Sequence, residues 1–219
     1  MDFKNKTIVF QGDSITDAAW NRNLWDHNGM YGHGYAFLVA SKLEFEDPRL
    51  NMTVYNRGIS GDRSSSVLER WQTEALDFKP DIISLLVGIN DLIGEVSPSG
   101  GVDADGYRQN LTAIMEMTKQ QAPNAKFVLM EPFGFYECTH AAHVDTFRDN
   151  LPERRAIARE IAERYGCLFI PLQQDFYDAV AAYPELGHKY WLWDGIHPTP
   201  AGHQLIARKW LKMVSEWDV

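Results

Sequence analysis

Short apolar runs alternate along the chain with longer amphipathic segments. The apolar runs predict β-strands at residues 6–11, 52–56, 81–88, 126–132 and 167–172. Apolar residues at helical spacing predict helices at 34–45, 64–76, 105–121, 152–166 and 200–217, with Pro152 in the first turn of the fourth. Strands that are apolar along their whole length are typical of a parallel sheet covered on both faces. We therefore predict an α/β protein with about five parallel strands and a layer of helices on each side.

Length, charge and cysteine content limit the classes of protein to which the chain can belong. A chain of 219 residues fits one domain, spanning 1–219. The net charge of −9 disfavours binding to nucleic acids and to anionic membranes. Two cysteines, Cys138 and Cys167, are too few for a disulfide framework, and two buried free thiols are favoured over a single disulfide. The first strand begins without an apolar leader and no run is long enough to span a bilayer, so we expect a cytoplasmic protein.

Residues that could take part in catalysis follow the predicted strands. Ser14 follows the first strand in "GDS", Gly61 follows the second in "NRGISGD", and Asn90 follows the third in "GIND". The stretch "WDGIHP", with Asp194 and His197, precedes the last predicted helix. In an open parallel sheet, ligands bind outside the carboxyl ends of the strands. We therefore expect these four segments, distant in sequence, to meet at one edge of the sheet.

These residue types form a set suited to acyl transfer. Serine is a weak nucleophile at neutral pH and needs a base, which in turn needs an orienting partner. Asp194 lies three residues before His197, a spacing that lets the carboxylate bond the near ring nitrogen and leaves the far nitrogen for Ser14. The N–H groups of Ser14 and Gly61 and the amide of Asn90 are suitable oxyanion donors.

Four blocks of the sequence resemble a known family in order. "GDSITD", "NRGISGD", "GIND" and "DGIHP" resemble the four blocks of the SGNH (GDSL-type) hydrolases, over nearly the whole chain. The resemblance implies a three-layer flavodoxin-like fold and a serine esterase without metal or organic cofactor. It implies Ser14 as nucleophile, Gly61 and Asn90 as oxyanion donors, His197 as base and Asp194 as its orienting acid. Arg63 stands where many relatives carry threonine, which leaves the role of this turn open.

The substrate prediction rests on finer resemblance and on aromatic residues. "FQGDSITD", "VGIND" and a tryptophan directly before Asp-x-x-His resemble the bacterial acetylxylan-esterase-like branch, which implies an acetylesterase acting on oligosaccharides and makes a homo-oligomer plausible. Aromatic residues cluster in the two long loops and are candidates for binding the substrate, with core packing as the alternative. These candidates are Trp20, Trp25, Tyr31, Trp191 and Trp193.

Three alternatives remain beside this prediction. Within the family, a lysophospholipase, thioesterase or arylesterase would prefer other acyl groups. Outside it, a carbohydrate-binding protein on an inactive scaffold would have no need for a complete nucleophile, base and orienting acid. His140 and His143 have a spacing compatible with metal, but no further ligands lie near them in sequence, so we interpret them as loop residues.

Overall fold

Five parallel strands form the centre of the molecule in a computed structural model, which describes residues 1–22, 29–95 and 100–217. The strands are β1 (Thr7–Gly12), β2 (Thr53–Asn56), β3 (Ile82–Leu86), β4 (Lys126–Met130) and β5 (Leu168–Ile170). Their spatial order is β2-β1-β3-β4-β5. This is the flavodoxin-like order of a doubly wound sheet, and the predicted fold class is confirmed.

Helices connect successive strands and cover both faces of the sheet. They are α1 (Ser14–Asp17), α2 (Tyr35–Glu46), α3 (Ser64–Glu69), α4 (Trp71–Glu74), α5 (Ile89–Glu95), α6 (Ala104–Gln121), α7 (Val144–Tyr165), α8 (Gln173–Ala182) and α9 (Pro200–Ser215). Short 3₁₀ turns lie at Pro48–Leu50, Leu76–Phe78, Ala141–His143 and His188–Tyr190.

The alternation of side chains along β1 separates two hydrophobic cores. Phe10 packs on one face with Tyr35 of α2 and Trp210 of α9. Its neighbour Val9 faces the opposite core, together with Trp71 of α4. Successive side chains of a strand point to opposite faces, so a strand buried on both sides must be apolar throughout. All five residues of β3, at the centre of the sheet, are buried accordingly.

The helices differ from the prediction at several places, and α1 and α5 lie where no helix was predicted. Helix α7 begins at Val144, so Pro152 lies inside it rather than in its first turn. Pro152 is exposed, and a proline inside a helix removes one backbone hydrogen bond. The helix predicted at 64–76 is interrupted at Arg70, and α8 follows β5 where the sequence analysis predicted no element.

Both cysteines are free thiols, as predicted, but the prediction that they are buried is wrong, since both are partly exposed. Among the described helices, no segment combines the length and the apolar character needed to cross a bilayer.

Candidate active site

Ser14 lies where β1 turns abruptly into α1. Asp13 caps this short helix, and its carboxylate accepts the N–H of Ile15 at 3.0 Å. The turn passes close to β3: a Cβ added to Gly12 would lie 2.2 Å from the carbonyl oxygen of Leu86. Gly12 also has φ of +154°, so both space and backbone conformation favour glycine here. Strand and turn together hold Ser14 at the carboxyl end of the sheet.

A hydrogen-bonded relay joins three of the predicted residues. Ser14 Oγ lies 2.8 Å from His197 Nε2, and His197 Nδ1 lies 2.7 Å from Asp194 Oδ2. With Nδ1 protonated and donating to the carboxylate, Nε2 is the acceptor for the serine hydroxyl. This is the hydrogen-bonding arrangement that activates a serine hydroxyl for attack.

The turn that carries Asp194 and His197 is built locally. Asp194 Oδ1 accepts the N–H groups of Ile196 at 3.0 Å and His197 at 2.8 Å. Gly195 has φ of +85°, and a Cβ there would lie 2.6 Å from the carbonyl oxygen of Phe135. Burial raises the pKa of Asp194, but the hydrogen bonds from His197 and Ile196 together outweigh it and leave that pKa below its usual value. Asp194 is therefore held as a carboxylate.

The predicted oxyanion donors lie on the loops that follow β2 and β3 at the carboxyl end of the sheet. Gly61 follows β2 with φ of +88°, and among the described residues other than its chain neighbours no atom lies within 4 Å of a Cβ added there. Asn90 lies in the first turn of α5, directly beyond β3, and its Nδ2 donates to the carbonyl oxygen of Asp62 at 3.0 Å. A primary amide has two N–H donors, so one remains for a bound oxygen.

Buried hydrogen bonds tie these loops to one another. The Asp17 carboxylate accepts the N–H and the hydroxyl of Ser60 at 2.9 and 2.8 Å. The Asp91 carboxylate accepts the N–H and the hydroxyl of Ser64. Burial raises the pKa of Asp91, and that of Asp13 to about 7. Several polar groups are thus withdrawn from water around the nucleophile.

The aromatic candidates separate into different environments. Trp193 is 57% exposed, and its indole stacks on the His197 ring with centroids 5.9 Å apart. Trp191 is partly buried and meets Tyr190 edge to face at 5.2 Å. Tyr31 packs against the core on the α2 side and donates its hydroxyl to Glu44 at 3.0 Å. Trp25 lies outside the described residues.

Trp20 does not fit the predicted role of a substrate contact. It is only 4% exposed, and its Nε1 donates to the carbonyl oxygen of Gly58 at 2.8 Å. The guanidinium carbons of Arg22 and Arg57 each lie 4.8 Å from the centroid of its ring system. These contacts hold the loop after the nucleophile against the loop after β2, which is the core-packing alternative.

Among the described residues, His203, His140 and His143 lie outside the relay. His203 is buried, its Nδ1 accepts the N–H of Tyr35 at 3.2 Å, and burial lowers its pKa to about 4. His140 and His143 have ring centroids 5.6 Å apart. Within the described ranges, no group of three or more His, Cys, Asp or Glu side chains is placed to hold a metal ion.

One contributor near the donors was missed by sequence reasoning. Arg70 lies at the break between α3 and α4, and its guanidinium donates to the Asp62 carboxylate and to the carbonyl oxygen of Gly12. In the sequence it is one cation on a predicted helix, and no local pattern distinguishes it from exposed cations. The break in the helix turns it toward the sheet edge.

The fold and the relay define a carboxylic ester hydrolase of the serine type, and comparison with known proteins agrees. Residues 10–205 match the GDSL-like Lipase/Acylhydrolase family, and the chain belongs to this family. It is 30% identical over 217 residues to an acetylxylan esterase from Geobacillus stearothermophilus, covering 96% of this chain and 94% of that one.

Solved structures show the same relationship. A putative GDSL-like lipase from Parabacteroides merdae superposes with a TM-score of 0.89 at 34% identity, covering 97% of this chain and 96% of that one. The acetylxylan esterase Axe2 from Geobacillus stearothermophilus superposes with a TM-score of 0.85 at 29% identity, covering 100% of this chain and 98% of that one.

Proposed function

We propose that this protein is a serine esterase that removes acetyl groups from carbohydrate esters. Ser14 is the nucleophile, His197 the general base and Asp194 the residue that orients the imidazole. The observation that carries the proposal is the continuous relay, with 2.8 Å from Ser14 Oγ to His197 Nε2 and 2.7 Å from His197 Nδ1 to Asp194.

The first half-reaction transfers the acetyl group to the enzyme. Ser14 Oγ attacks the ester carbonyl carbon while its proton moves to His197 Nε2. The carbonyl oxygen becomes an oxyanion, which accepts hydrogen bonds from the Ser14 and Gly61 N–H groups and from Asn90 Nδ2. When the intermediate collapses, the bond to the sugar oxygen breaks and His197 gives its proton to that oxygen. The sugar leaves with a hydroxyl, and Ser14 carries the acetyl ester.

The second half-reaction returns the serine. His197 takes a proton from a water molecule, whose oxygen attacks the acetyl carbon of the Ser14 ester. The same three donors bind the second oxyanion, and the collapse returns the proton to Ser14 Oγ as acetate departs. Throughout both halves, the Asp194 carboxylate stabilises the imidazolium that forms on His197.

Two observations support an acetylated sugar as the substrate. Trp193 exposes an indole face directly beside His197, and such a face suits the C–H face of a sugar ring. Relatives that match over nearly the whole chain are named acetylxylan esterases. Xylan-derived or related oligosaccharides are therefore the substrates to test first.

Substrate selectivity provides the test. Acetate release is measured on acetylated xylo-oligosaccharides, beside nitrophenyl acetate and nitrophenyl octanoate, with Ser14→Ala as the blank. The proposal expects acetate from the sugars and little cleavage of octanoate. Strong octanoate cleavage with untouched sugars would keep the relay and overturn the substrate class.

A covalent probe separates an enzyme from a binding protein on the same scaffold. A serine-directed phosphonate should label the native chain at Ser14 and leave Ser14→Ala unlabelled, as shown by the mass of the intact protein. A native chain that binds acetylated sugars but does not react with the phosphonate would overturn the catalytic assignment.

A further inference from the structure

The Arg70 guanidinium donates to three acceptors at the carboxyl end of the sheet, one at the end of β1 and two on the loop after β2. Its Nε donates to Asp62 Oδ2 at 2.7 Å, its Nη1 to the carbonyl oxygen of Arg57 at 2.8 Å, and its Nη2 to that of Gly12 at 3.2 Å. The side chains of Arg70 and Asp62 are only 14% and 13% exposed. The ion pair is therefore largely shielded from water. Charge-assisted hydrogen bonds are stronger in such a shielded environment than in water.

The contacts of Arg70 lead to the oxyanion donors along two routes. Gly12 lies two residues before Ser14, and Asp62 directly follows Gly61. The carbonyl oxygen of Asp62 accepts the amide of Asn90 at 3.0 Å. One guanidinium thus reaches the chain beside the Ser14 and Gly61 N–H groups and, through Asp62, the side-chain amide of Asn90.

Polar contacts define the position of the Gly61 loop. Within the described residues, and apart from its two chain neighbours, no atom lies within 4 Å of a Cβ added to Gly61, so packing does not fix that side of the loop there. Its neighbour Asp62 is held at three points: its N–H donates to Ile59, its carboxylate accepts from Arg70, and its carbonyl oxygen accepts from Asn90. Backbone N–H groups earlier in the loop also donate to carbonyl oxygens of β1 at 2.8 and 3.0 Å. Losing the Arg70 contact therefore removes the link to β1 that acts at Asp62, next to Gly61.

We propose that Arg70, acting through Asp62, is a positioning residue that sets the spacing of the three oxyanion donors. The inference rests on the proposed function, because the donors matter only if an oxyanion forms. Oxyanion donors stabilise charge only when they already point at the developing oxygen, and small displacements cost large factors in rate. Lysine cannot replace the planar guanidinium, whose donors diverge at fixed angles toward three acceptors.

The test compares the same substitution at two ion-paired arginines. Arg70→Lys keeps the charge and removes the fork. Arg108→Lys is the control, since the Arg108 side chain also pairs with a carboxylate, that of Glu160, but does so between α6 and α7. On nitrophenyl acetate, Arg70→Lys is expected to lower kcat about 10- to 100-fold with KM within about two-fold. The control should keep kcat within about two-fold.

A double-variant cycle distinguishes positioning from general destabilisation. If Arg70 acts by placing the donors, the loss in activity caused by Arg70→Lys should be smaller in a chain that already carries Asn90→Ala. Arg70→Lys with Asn90→Ala should then lose less activity than the product of the two single losses. Losses that multiply fully, an unchanged kcat in Arg70→Lys, or an equal loss in Arg108→Lys would each overturn the proposal.

Two further measurements keep the result interpretable. If Arg70→Lys does not fold, Asp62→Asn replaces it, because it retains the carbonyl oxygen that Asn90 contacts; its expected loss in kcat is about 3- to 10-fold. Phosphonate labelling of Ser14 is followed in parallel. If the native chain reacts with the phosphonate but neither substitution lowers kcat, the positioning role alone is overturned. If the native chain does not react, the proposed function is overturned.

Discussion

The two ends of the sheet satisfy their polar groups differently. At the amino end, Asp81 accepts from Lys6 Nζ and from the N–H of Thr7, both at 2.9 Å, and the Lys6 and Asp81 side chains are 40% and 36% exposed. At the carboxyl end, Asp13, Asp91 and Ser64 are at most 1% exposed. Withdrawing carboxylates from water costs free energy, as the raised pKa values of Asp13 and Asp91 indicate.

This difference shows that the carboxyl end of the sheet is arranged for a functional site at a cost in stability, whereas the amino end is not. At the amino end, exposed contacts connect the starts of the strands, and losing any one of them should change the free energy of unfolding only slightly. The carboxyl end joins residues as far apart as Ser14 and His197, which are 183 positions apart in sequence. Its buried polar groups fix geometry, and such groups concentrate at functional sites at the expense of stability. Four substitutions test this contrast, from the largest expected effect to the smallest.

Ser14→Ala tests the carboxyl end most directly. Removing Oγ removes the atom proposed to attack the ester, so kcat should fall by on the order of 10⁴-fold or more. Turnover of nitrophenyl acetate, corrected for buffer hydrolysis, measures it. Ser41→Ala is the control, because the Ser41 hydroxyl on α2 donates to Leu38 away from the relay, and its kcat should not change. Substantial activity in Ser14→Ala would remove the serine from the mechanism.

Asn90→Ala tests a donor without touching the nucleophile. Losing one oxyanion donor typically costs 10²- to 10³-fold in kcat, or about 3 to 4 kcal/mol, with little change in ground-state binding. Steady-state kinetics separate kcat from KM. Gln174→Ala, which removes an exposed amide on α8 that donates to Asp178 Oδ1 at 2.8 Å, is the control, and its kcat should not change. A rise in KM alone would contradict an oxyanion role for Asn90.

Asp13→Asn tests the stability cost of the buried carboxyl. The folded-state pKa of Asp13 is raised from 3.8 to about 7, so its protonated form stabilises the fold fully below 3.8, and that contribution is lost as pH rises through about 7. Relative to the variant, the native chain should lose roughly 2 to 4 kcal/mol between pH 4 and pH 8. Urea unfolding of both proteins across this range measures the difference. A difference independent of pH would show that Asp13 is not held protonated.

Lys6→Ala tests the amino end. The Lys6–Asp81 pair is well exposed, and such pairs contribute about 0 to 1 kcal/mol, screened further by salt. Urea unfolding should shift by less than about 1 kcal/mol, and kcat on nitrophenyl acetate should stay unchanged. A large loss of activity here would show that the two ends are coupled and that the contrast between them is wrong.

Much of the architecture could be predicted because its signals are local or follow from topology. Unbroken apolar runs such as 81–88 mark strands covered on both faces. The ends of parallel strands share one edge, which brings Ser14 and Asn90 to the same place. The close spacing of Asp194 and His197 then predicts the contact observed between them at 2.7 Å.

Other features depend on contacts that no local pattern records. Trp20 is buried because Gly58 and Arg57, far along the chain, meet it from another loop. The break at Arg70 separates α3 from α4 and directs a guanidinium at three distant acceptors.

The sequence by itself determined the alternation of strands and helices, the parallel sheet and the set of residues able to perform ester hydrolysis. Only the tertiary structure decided which aromatic residues are buried and which, like Trp193, face the relay. It also decided how the donor loops are held together. The physical reason is range: periodicity and turn chemistry act over a few residues, whereas burial and polar pairing depend on neighbours that only folding supplies.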